Sequence, residues 1–387
     1  MTYIFLTSSV VSVGGAELYI SRKVNHLLSL GWEVHVFSVH HGEIVIENLK
    51  QYEQEINRML NYRLPSVHPY MRREFLSFVK SKITSFERVI IESHSLHYAI
   101  WGEYFARELG GVNIYYDLGE NNTLLKGPKL DFVKFKYDQS CLYGITAKSM
   151  PMLGIDDKEK KTCLIACGCS NDVIEDVHFE IPESIKQSDY KILSFGRLNK
   201  PYISTMADEI IRFAHSKTDK TIGVILTGHI KGDLNEEALY NKLSSTSNIN
   251  CMLVPRRFPM PLSLFEIADV CVAIAGCAHA SLKTGIPTIT VDTNDHKVIG
   301  IMGETTNSSI YRGEEKAVDL SDMLNEVLVE HKYQRKAANI QRTIVDYCEH
   351  DKLLKLKNEG SYYRLSKLVT FKNKVAQYYN LFFGYHE

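Results

Sequence analysis

The stretch from residue 2 to residue 38, TYIFLTSSVVSVGGAELYISRKVNHLLSLGWEVHVFS, decides the fold of this chain. Its first apolar and aromatic run, residues 3–9, is typical of a strand buried on both faces of a parallel sheet. Residues 16–30 then repeat apolar side chains at helical spacing, and residues 33–38 read as a second strand. A strand, a helix and a strand in so few residues predict a β-α-β unit with a right-handed crossover and parallel strands.

The same alternation continues on both sides of a polar break. The series predicts strands at 88–92 and 112–117, a helix at 98–109, and weaker strands at 142–147 and 163–166. Residues 43–82 are polar and poorly periodic and predict an insertion with its own helices. The segment EIPESIKQSDY, residues 180–190, contains Pro182 and no apolar period, which is typical of a linker.

A second alternating series follows this break. It predicts strands at 191–195, 221–227, 249–254, 270–275 and 288–291, with helices at 204–216, 236–245 and 261–268. We therefore expect an α/β protein of two doubly wound Rossmann-like domains that face each other across a cleft. The predicted organisation is an N-terminal, acceptor-side domain at 1–180, a linker at 181–190, a C-terminal, nucleotide-binding domain at 191–350, and a basic and aromatic helix at 351–387.

Composition and length agree with two globular domains. The chain has 387 residues, of which 44% are hydrophobic and 24% charged, and one ordinary core rarely exceeds about 250–300 residues. The net charge of −1 gives no indication of nucleic-acid binding. No run approaches the roughly 20 apolar residues of a membrane helix, and the N-terminus lacks the features of a signal peptide. We therefore expect a cytoplasmic protein.

The eight cysteines predict thiols rather than disulfides or a metal site. A large chain without a secretion signal is expected to keep its cysteines reduced. The spacing of Cys163, Cys167 and Cys169 is not that of a zinc site, and no second C-x-x-C or paired histidine follows. No D-x-D sequence occurs in the chain, and enzymes that hold a diphosphate through a divalent metal often need such paired carboxylates. We expect no metal.

The C-terminal tail leaves two interpretations open. Residues 351–374 carry seven basic and two acidic side chains, and an aromatic segment follows them. A helix of this kind can pack its aromatic side chains back on the N-terminal domain, or it can lie on an anionic membrane surface as a peripheral contact.

Three turns at predicted strand ends are candidate ligand sites, because ligands of open α/β sheets bind beyond the carboxyl ends of the strands. The first contains Gly14 and Gly15, whose backbone allows close approach and precedes a helix N-terminus that suits a phosphate. The second contains Gly196, Arg197 and Lys200, whose cations could hold a diphosphate and neutralise it as a leaving group. A plain tight turn and a pair of surface cations are the alternative interpretations.

The third turn has small residues before a new helix, which could form an anion or ribose site. Its candidate residues are Gly276, Cys277, Ala278, His279 and Ser281. A single histidine, His94, follows a strand of the first domain and could contact the sugar or the acceptor, although a structural role is also possible for a lone histidine.

The order of these segments resembles that of the GT-B glycosyltransferases, especially the retaining family 4. The N-terminal GGAE and GWEVHV sequences, ILSFGRLNK at 192–200 and VILTGHIKGDLNEEALYNKL at 224–243 are similar to its signatures. FPMPLSLFEIADVCVAIAG at 258–276 and TGIPTITVD at 284–292 resemble its nucleotide-binding region. The resemblance implies that the glycines of the first turn, Gly196 and Gly228 approach the donor. It implies further that His94 contacts the transferred sugar and that Arg197 and Lys200 hold the diphosphate.

The chain departs from the family 4 pattern before the G-x-P turn. The family usually has two glutamates eight positions apart there, whereas this chain has Ala280 at the second position and Glu266 too early for the first. Leu118 stands where the family often has a histidine. A short glycine-containing loop of this kind is similar to some inverting members of the fold.

The resemblance predicts a metal-independent, hexosyltransferase-type glycosyltransferase. It would move a sugar from a nucleoside diphosphate sugar, its donor substrate, to a glycan or lipid-linked hydroxyl acceptor in bacterial surface polysaccharide synthesis. Two alternatives stay open at this point. One is a non-catalytic GT-B protein that binds and supports a partner transferase, and the other is a sugar-nucleotide epimerase.

Overall fold

The computed structural model describes residues 1–11, 13–118, 125–145, 149–155, 165, 168–175, 179–229, 233–340, 345–357 and 360–383. They form two compact units, which are described separately. Unit 1 comprises Met1–Ser12, Tyr19–Cys167 and Val345–Glu387, and unit 2 comprises Val13–Leu18 and Gly168–Ile344. None of the described helices is long and apolar enough to cross a membrane.

Unit 1 is built on a parallel sheet of five strands in the order β2-β1-β3-β4-β5. The strands are β1 (Thr2–Leu6), β2 (Glu33–Phe37), β3 (Val89–Ser93), β4 (Val112–Asp117) and β5 (Leu142–Gly144). The helices are α1 (Gly15–Ser29), whose first residues belong to unit 2, then α2 (Pro69–Lys82), α3 (Leu96–Leu109), α4 (Pro128–Asp138) and α5 (Ser149–Met152). Every residue of β1, β3 and β4 is buried, as expected for strands covered on both faces.

The segment predicted as an insertion holds short helical turns before α2. They are 3-10 turns at Glu47–Glu55, Arg58–Asn61 and Leu64–Ser66. Their buried residues Leu60 and Leu64 join the same apolar core as α2 and α3. The insertion is therefore part of unit 1 rather than a separate body.

Unit 2 contains a six-stranded sheet in the order β13-β12-β11-β7-β8-β9 and a parallel pair, β6 with β10. The strands are β6 (Val173–Ile174), β7 (Tyr190–Phe195), β8 (Ile222–His229), β9 (Ile249–Pro255), β10 (Met260–Pro261), β11 (Val270–Ala273), β12 (Thr288–Val291) and β13 (Val298–Ile301). The helices are α6 (Glu183–Lys186), α7 (Pro201–His215), α8 (Leu234–Ser244), α9 (Leu262–Ile267), α10 (Ala275–Lys283) and α11 (Leu320–Leu324), the last followed by a π turn at Asn325–Val329.

These two units confirm the predicted α/β class with two Rossmann-like bodies. The large sheet of unit 2 differs from the prediction at one edge, where β13 runs antiparallel to β12. The weak strand predicted at 163–166 lies outside the described residues except for Ile165. The segment predicted as a linker contains α6, with Ile185 buried in a core of unit 2.

The C-terminal segment of unit 1 is not one continuous helix as predicted. It contains α12 (Cys348–Leu353), a 3-10 turn at Leu365–Leu368, and α13 (Phe371–Phe383). Tyr363 is buried in the core of unit 1, and its backbone N–H donates to Oε1 of Glu103 on α3 at 2.8 Å. The tail is therefore held by a buried carboxylate as well as by apolar packing.

Glu103 also forms a buried ion pair with Lys136 of α4. Nζ of Lys136 lies 3.0 Å from Oε2 of Glu103, and both side chains are almost fully buried. The amide of Asn113 donates to the same oxygen at 3.3 Å. Buried partners of this kind stabilise only as a complete set, because a lone buried charge is strongly unfavourable.

We expect Glu103→Gln to lower the free energy of unfolding of unit 1 by about 3–5 kcal/mol, since it leaves Lys136 charged and unpaired. Urea unfolding followed by tryptophan fluorescence measures this directly, because Trp32 and Trp101, the chain's two tryptophans, both lie in unit 1. Glu108→Gln is the matched control on α3, where the ion pair with Arg107 is exposed and its loss costs less than about 1 kcal/mol. Equal effects of the two substitutions would contradict the prediction.

Candidate functional site

Each large sheet has one topological switch point, a strand whose two neighbours in the sheet are reached by connections that run in opposite directions. In unit 1, β2 and β3 lie on opposite sides of β1, and in unit 2, β8 and β11 lie on opposite sides of β7. Ligands of doubly wound sheets bind at the carboxyl ends of the strands at such points. His94 follows β3, Arg197 follows β7, and α10 follows β11. Three of the predicted sites therefore stand at the positions that the topology favours.

His94 is buried in unit 1, with 7% of its surface exposed. Its Nε2 lies 2.9 Å from Oε1 of Glu92, and its ring packs against the rings of Phe5 and Tyr19. Its other ring nitrogen, Nδ1, is buried and has no hydrogen-bond partner among the described residues. Buried polar atoms are rarely left unbonded, so an unpartnered nitrogen at a ligand-binding edge is a candidate contact.

Glu92 is fully buried at the centre of a network of side chains. Its Oε2 accepts from the hydroxyl of Tyr3 at 2.5 Å and from Nζ of Lys23. Its Oε1 accepts from the hydroxyl of Tyr19 at 2.8 Å and from His94. Two donors on each oxygen fill the usual capacity of a carboxylate.

The electrostatics of this network keep Glu92 ionised. Burial by itself raises the pKa of the Glu92 carboxyl, but the charge of Lys23 and the hydrogen bond from His94 outweigh burial and bring the pKa below its usual range. Burial lowers the pKa of Lys23, and Glu92 opposes that change. Burial, followed by the charge of Glu92, raises the pKa of Tyr3 and Tyr19, so both phenols stay protonated and donate.

An ionised Glu92 determines which nitrogen of His94 carries the hydrogen. A carboxylate only accepts, so Nε2 must donate to it. In the neutral imidazole Nδ1 is then an acceptor, and in the imidazolium it is a donor facing the same way. The arrangement can accept a hydrogen bond from a hydroxyl group, and the carboxylate behind the ring stabilises any positive charge that the ring gains.

In unit 2 the predicted cations stand after β7. Arg197 is half-buried, and Lys200 is the residue immediately before α7. A Cβ placed on Gly196 would lie 3.6 Å from Sγ of Cys277, so the ends of β7 and β11 are neighbours there. The structure thus brings Gly196, Arg197 and the start of α10 together at one edge of the sheet.

A second guanidinium group, which the sequence interpretation missed, belongs to this edge. Arg256 directly follows β9, is half-buried, and donates from Nε to the carbonyl oxygen of Gly228 at 3.2 Å. Burial lowers its pKa, Glu236 opposes that effect, and the positive charge of Arg197 lowers the pKa further. Glu17 and Asp233 also oppose the decrease. Both arginines adjoin Gly228, since a Cβ there would lie 3.5 Å from Cα of Arg197, and a bound polyanion would compete with these carboxylates for the two guanidinium groups.

At Gly228 the end of β8 approaches the turn after β7 closely. Its φ is +96°, and a Cβ there would lie 2.1 Å from the carbonyl oxygen of Gly196. No other residue fits without a shift of the backbone. The predicted role of Gly228 at the donor remains a prediction, and its structural role is to let β8 end beside Gly196.

The third predicted turn lies partly inside the core. The first residues of α10 approach residue 169 closely, since a Cβ on Gly276 would lie 2.6 Å from the carbonyl oxygen of Cys169. Ala278 and Ser281 are fully buried, and Oγ of Ser281 lies 3.1 Å from Sγ of Cys271. These two side chains face the interior of unit 2, and the backbone N–H of Ala278 donates to the carbonyl oxygen of Ile274 at 3.3 Å, whereas the side chains of Cys277 and His279 are accessible.

The first predicted turn lies in the part of the chain that groups with unit 2. A Cβ on Gly14 would lie 2.7 Å from Oε2 of Glu17 and 3.8 Å from Nε of Arg197. A Cβ on Gly15 would lie 3.2 Å from that of Cys169. The structure therefore brings Gly14 near Arg197, and their joint role at a ligand remains a prediction.

The described cysteines are free thiols, and Cys163 and Cys167 lie outside the described residues. Burial raises the pKa of Cys251 and of Cys271 to about 12, which makes both thiols unreactive at neutral pH. Within the described ranges, no group of three or more histidine, cysteine, aspartate or glutamate side chains is arranged to hold a metal ion.

Glu92, Lys23 and Arg256 were not predicted as site residues, because the sequence contains only weak indications of their roles. Glu92 is the one charged residue in the apolar strand VIIES, and a charge in a strand buried on both faces needs a partner. Lys23 lies 69 positions away on α1, four residues after Tyr19, and no local pattern pairs it with Glu92. Arg256 follows a predicted strand as directly as Arg197 does, so its position alone could have identified it.

Comparison with known proteins shows the fold. The chain matches no protein-family model, and no curated protein matches it in sequence. Among solved structures it is similar to HepE of Anabaena in complex with UDP-glucose, with 12% identity, a TM-score of 0.55, and coverage of 86% of this chain and 91% of that chain.

Two further structures have the same architecture. A glycosyltransferase from Rickettsia africae shares 13% identity, with 97% of this chain and 98% of that chain covered and a TM-score of 0.52. MnaA of S. aureus, solved with UDP, shares 12% identity over 92% of this chain and 98% of that chain, with a TM-score of 0.50. At such identities the likeness establishes the fold, and this chain is an α/β protein with the two Rossmann-like units of the GT-B class.

Proposed function

We propose that this protein transfers a sugar from a nucleoside diphosphate sugar to a hydroxyl acceptor. The observation that carries the proposal is the pair of guanidinium groups, Arg197 and Arg256, at the carboxyl edge of the unit 2 sheet. Two guanidinium groups beside Gly228, at the favoured ligand position of a doubly wound sheet, fit a diphosphate better than a neutral ligand. Burial of the site strengthens each charge–charge contact.

In this proposal unit 2 binds the donor. Arg197, Arg256 and Lys200 hold the diphosphate and stabilise the charge that grows on it as the bond to the sugar breaks. The backbone N–H of Gly276, in the first turn of α10, adds a neutral donor. Three cations supply the neutralisation that a divalent metal provides in other enzymes, so we propose a metal-independent reaction.

In this proposal His94 of unit 1 contacts the transferred sugar. Its Nδ1 accepts a hydrogen bond from a hydroxyl of the transferred sugar, and Glu92 fixes the ring so that Nδ1 is the free acceptor. Glu92 acts through His94 and is a positioning residue. Lys23, Tyr3 and Tyr19 keep that carboxylate ionised and in place.

The enzyme family and the acceptor are inferred from the sequence resemblance and are part of the proposal. The order of motifs supports a family 4-like, hexosyltransferase-type enzyme whose acceptor is a glycan or a lipid-linked glycan of a bacterial surface polysaccharide. The fold shared with HepE, solved with UDP-glucose, makes UDP-glucose the first donor to test.

We expect Arg256→Ala to weaken UDP binding about 10- to 150-fold, because it removes a charged hydrogen bond worth about 1.5–3 kcal/mol. Calorimetric titration with UDP, GDP and UDP-glucose measures this loss, and Arg197→Ala is expected to behave alike. The matched control is Arg257→Ala, since Arg257 is exposed and stacks on the ring of Phe179. The control should bind UDP as the wild type does.

Two outcomes would contradict this part of the proposal. One is that the wild-type protein binds no sugar nucleotide at millimolar concentration. The other is that Arg257→Ala weakens binding as much as Arg256→Ala does, which would mean that total charge rather than this edge of the sheet is responsible.

We expect His94→Ala to slow the release of UDP from UDP-glucose at saturating donor about 100-fold or more. The affinity for UDP should stay within about twofold of wild type, because the proposed diphosphate contacts come from unit 2. His97→Ala is the control, since Nε2 of His97 is bonded to the carbonyl oxygen of Leu60. Analysis of the products also separates the alternatives: an epimerised sugar nucleotide would indicate an isomerase, and UDP binding without turnover would indicate a non-catalytic role.

Glu92→Gln tests the positioning role separately from stability. The single substitution leaves Lys23 buried and unpaired, so we expect a loss of about 3–5 kcal/mol in stability as well as of turnover. The double variant Glu92→Gln, Lys23→Met has no unpaired buried charge and is expected to recover most of the stability but not the turnover. Its UDP affinity should equal that of the wild type. Recovery of turnover together with stability would show that Glu92 has only a structural role.

A further inference from the structure

The last helix of unit 1, α13, is attached to the body by its polar side. Nε2 of Gln377 donates to the carbonyl oxygen of Pro65 at 2.7 Å, and Nδ2 of Asn380 donates to that of Ser66 at 3.4 Å. Asn373 accepts from the hydroxyl of Ser66 at 3.1 Å. The inner face of the helix is therefore a row of amide side chains bonded to the turn Leu64–Ser66.

The opposite side of α13 is apolar and exposed. Residues 371, 375, 378 and 379 follow helical spacing and form one stripe. Their exposed fractions are 83% for Phe371, 55% for Val375, 61% for Tyr378 and 64% for Tyr379. We call this set the outer stripe. It supplies four of the 12 exposed large hydrophobic residues in the described parts of the chain.

This arrangement is the reverse of an ordinary surface helix. Such a helix turns its apolar stripe to the core and its polar face to water. Here the amides face the body. The ring of Tyr378 lies edge-on to that of His68, at 5.8 Å between centroids, yet each residue of the outer stripe keeps more than half of its surface exposed. Contiguous exposed apolar side chains of this kind mark contact sites for proteins or membranes.

The charges around the outer stripe indicate which partner fits. From residue 360 to residue 383 the sequence contains no aspartate or glutamate. It contains four basic residues, Arg364, Lys367, Lys372 and Lys374, and all four are exposed. We propose that α13 binds an anionic lipid surface, with the outer stripe entering the interface and the basic side chains reaching the headgroups.

The chemistry of the side chains agrees with this partner. Tyrosine prefers the boundary between headgroups and acyl chains, because its ring is apolar and its hydroxyl stays hydrated. A helix with aromatic residues on one side and lysines along its edges lies flat in that boundary. A second copy of the chain is a poorer occupant, because two copies of the segment 360–383 would bring eight basic side chains together without an acidic side chain on either segment.

Vesicle flotation tests the proposal on the whole protein. The wild type is expected to float with vesicles of phosphatidylcholine containing phosphatidylglycerol, and to float much less with phosphatidylcholine alone or in high salt. Phe371→Ser, Val375→Ser is expected to weaken binding at least tenfold, because it removes apolar contact area. Lys372→Gln, Lys374→Gln should weaken it about 25-fold, at about fivefold for each lysine.

The matched control is Leu28→Ser, Leu30→Ser, which removes two exposed apolar side chains near the end of α1. It should float as the wild type does. Thermal melting shows that each variant is folded, which is expected because the substituted side chains are exposed. This test is independent of sugar transfer, since a protein without transferase activity can still bind vesicles.

Three results would overturn the proposal. The wild type could fail to float with anionic vesicles, or it could float equally with uncharged ones. The Phe371→Ser, Val375→Ser variant could float as well as the wild type. Finally, light scattering could detect a wild-type dimer that this variant abolishes, which would assign the outer stripe to a second copy of the chain.

Discussion

The carboxylate of Glu92 is the constraint on which the proposed chemistry of unit 1 depends. A fully buried carboxylate is tolerated only when its lone pairs are satisfied and its charge is compensated. Here Tyr3, Tyr19, Lys23 and His94 meet both conditions. The contacts from Tyr3, Tyr19 and Lys23 tie β1 and α1 to β3, so loss of Glu92 would both release the ring of His94 and destabilise the core of unit 1.

The proposed donor edge of unit 2 is built differently. Its sheet end is shaped by close backbone approach at Gly228 and Gly276, where any Cβ would collide with a carbonyl oxygen. Charge then comes from Arg197 and Arg256, which are half-buried and share this edge with Glu17, Asp233 and Glu236. Unit 1 therefore presents a buried ring nitrogen, Nδ1 of His94, that has no partner among the described residues, whereas unit 2 presents guanidinium groups. In the proposed function the first contacts a sugar hydroxyl and the second bind a diphosphate.

Local sequence patterns predicted the elements of both units well. The strand, helix and strand at the start of the chain depend on burial and helical spacing, which can be read within about 40 residues. The antiparallel strand β13 and the pair of β6 with β10 were not predicted, because short strands carry little periodicity. The break of the tail into α12, a 3-10 turn and α13 was also missed, since composition does not mark where a helix stops.

The site was harder to predict because its contacts join distant residues. His94 and Arg197 were predicted from their positions at strand ends, a rule that follows from topology, and their roles remain predictions. The pairing of Glu92 with Lys23 depends on how α1 crosses the sheet, and nothing in either local segment indicates it. Ser281 was predicted as part of a turn of small residues before a helix, and its burial could not be read from that local pattern: the structure places its side chain in the interior of unit 2.

The C-terminal tail of unit 1 carries the outer stripe and also contributes to the Glu92 network. Its composition already predicted a basic and aromatic segment, but only the structure shows that the amide face is the one bonded to the body. The same segment carries His350, which is buried, and its Nδ1 lies 3.4 Å from Nζ of Lys23. Because Lys23 is the counterion of Glu92, the tail contributes to the network that orients His94. The segment that bears the outer stripe is thus anchored in the core of unit 1, and a helix anchored in this way can hold exposed aromatic side chains without depending on their burial for its own stability.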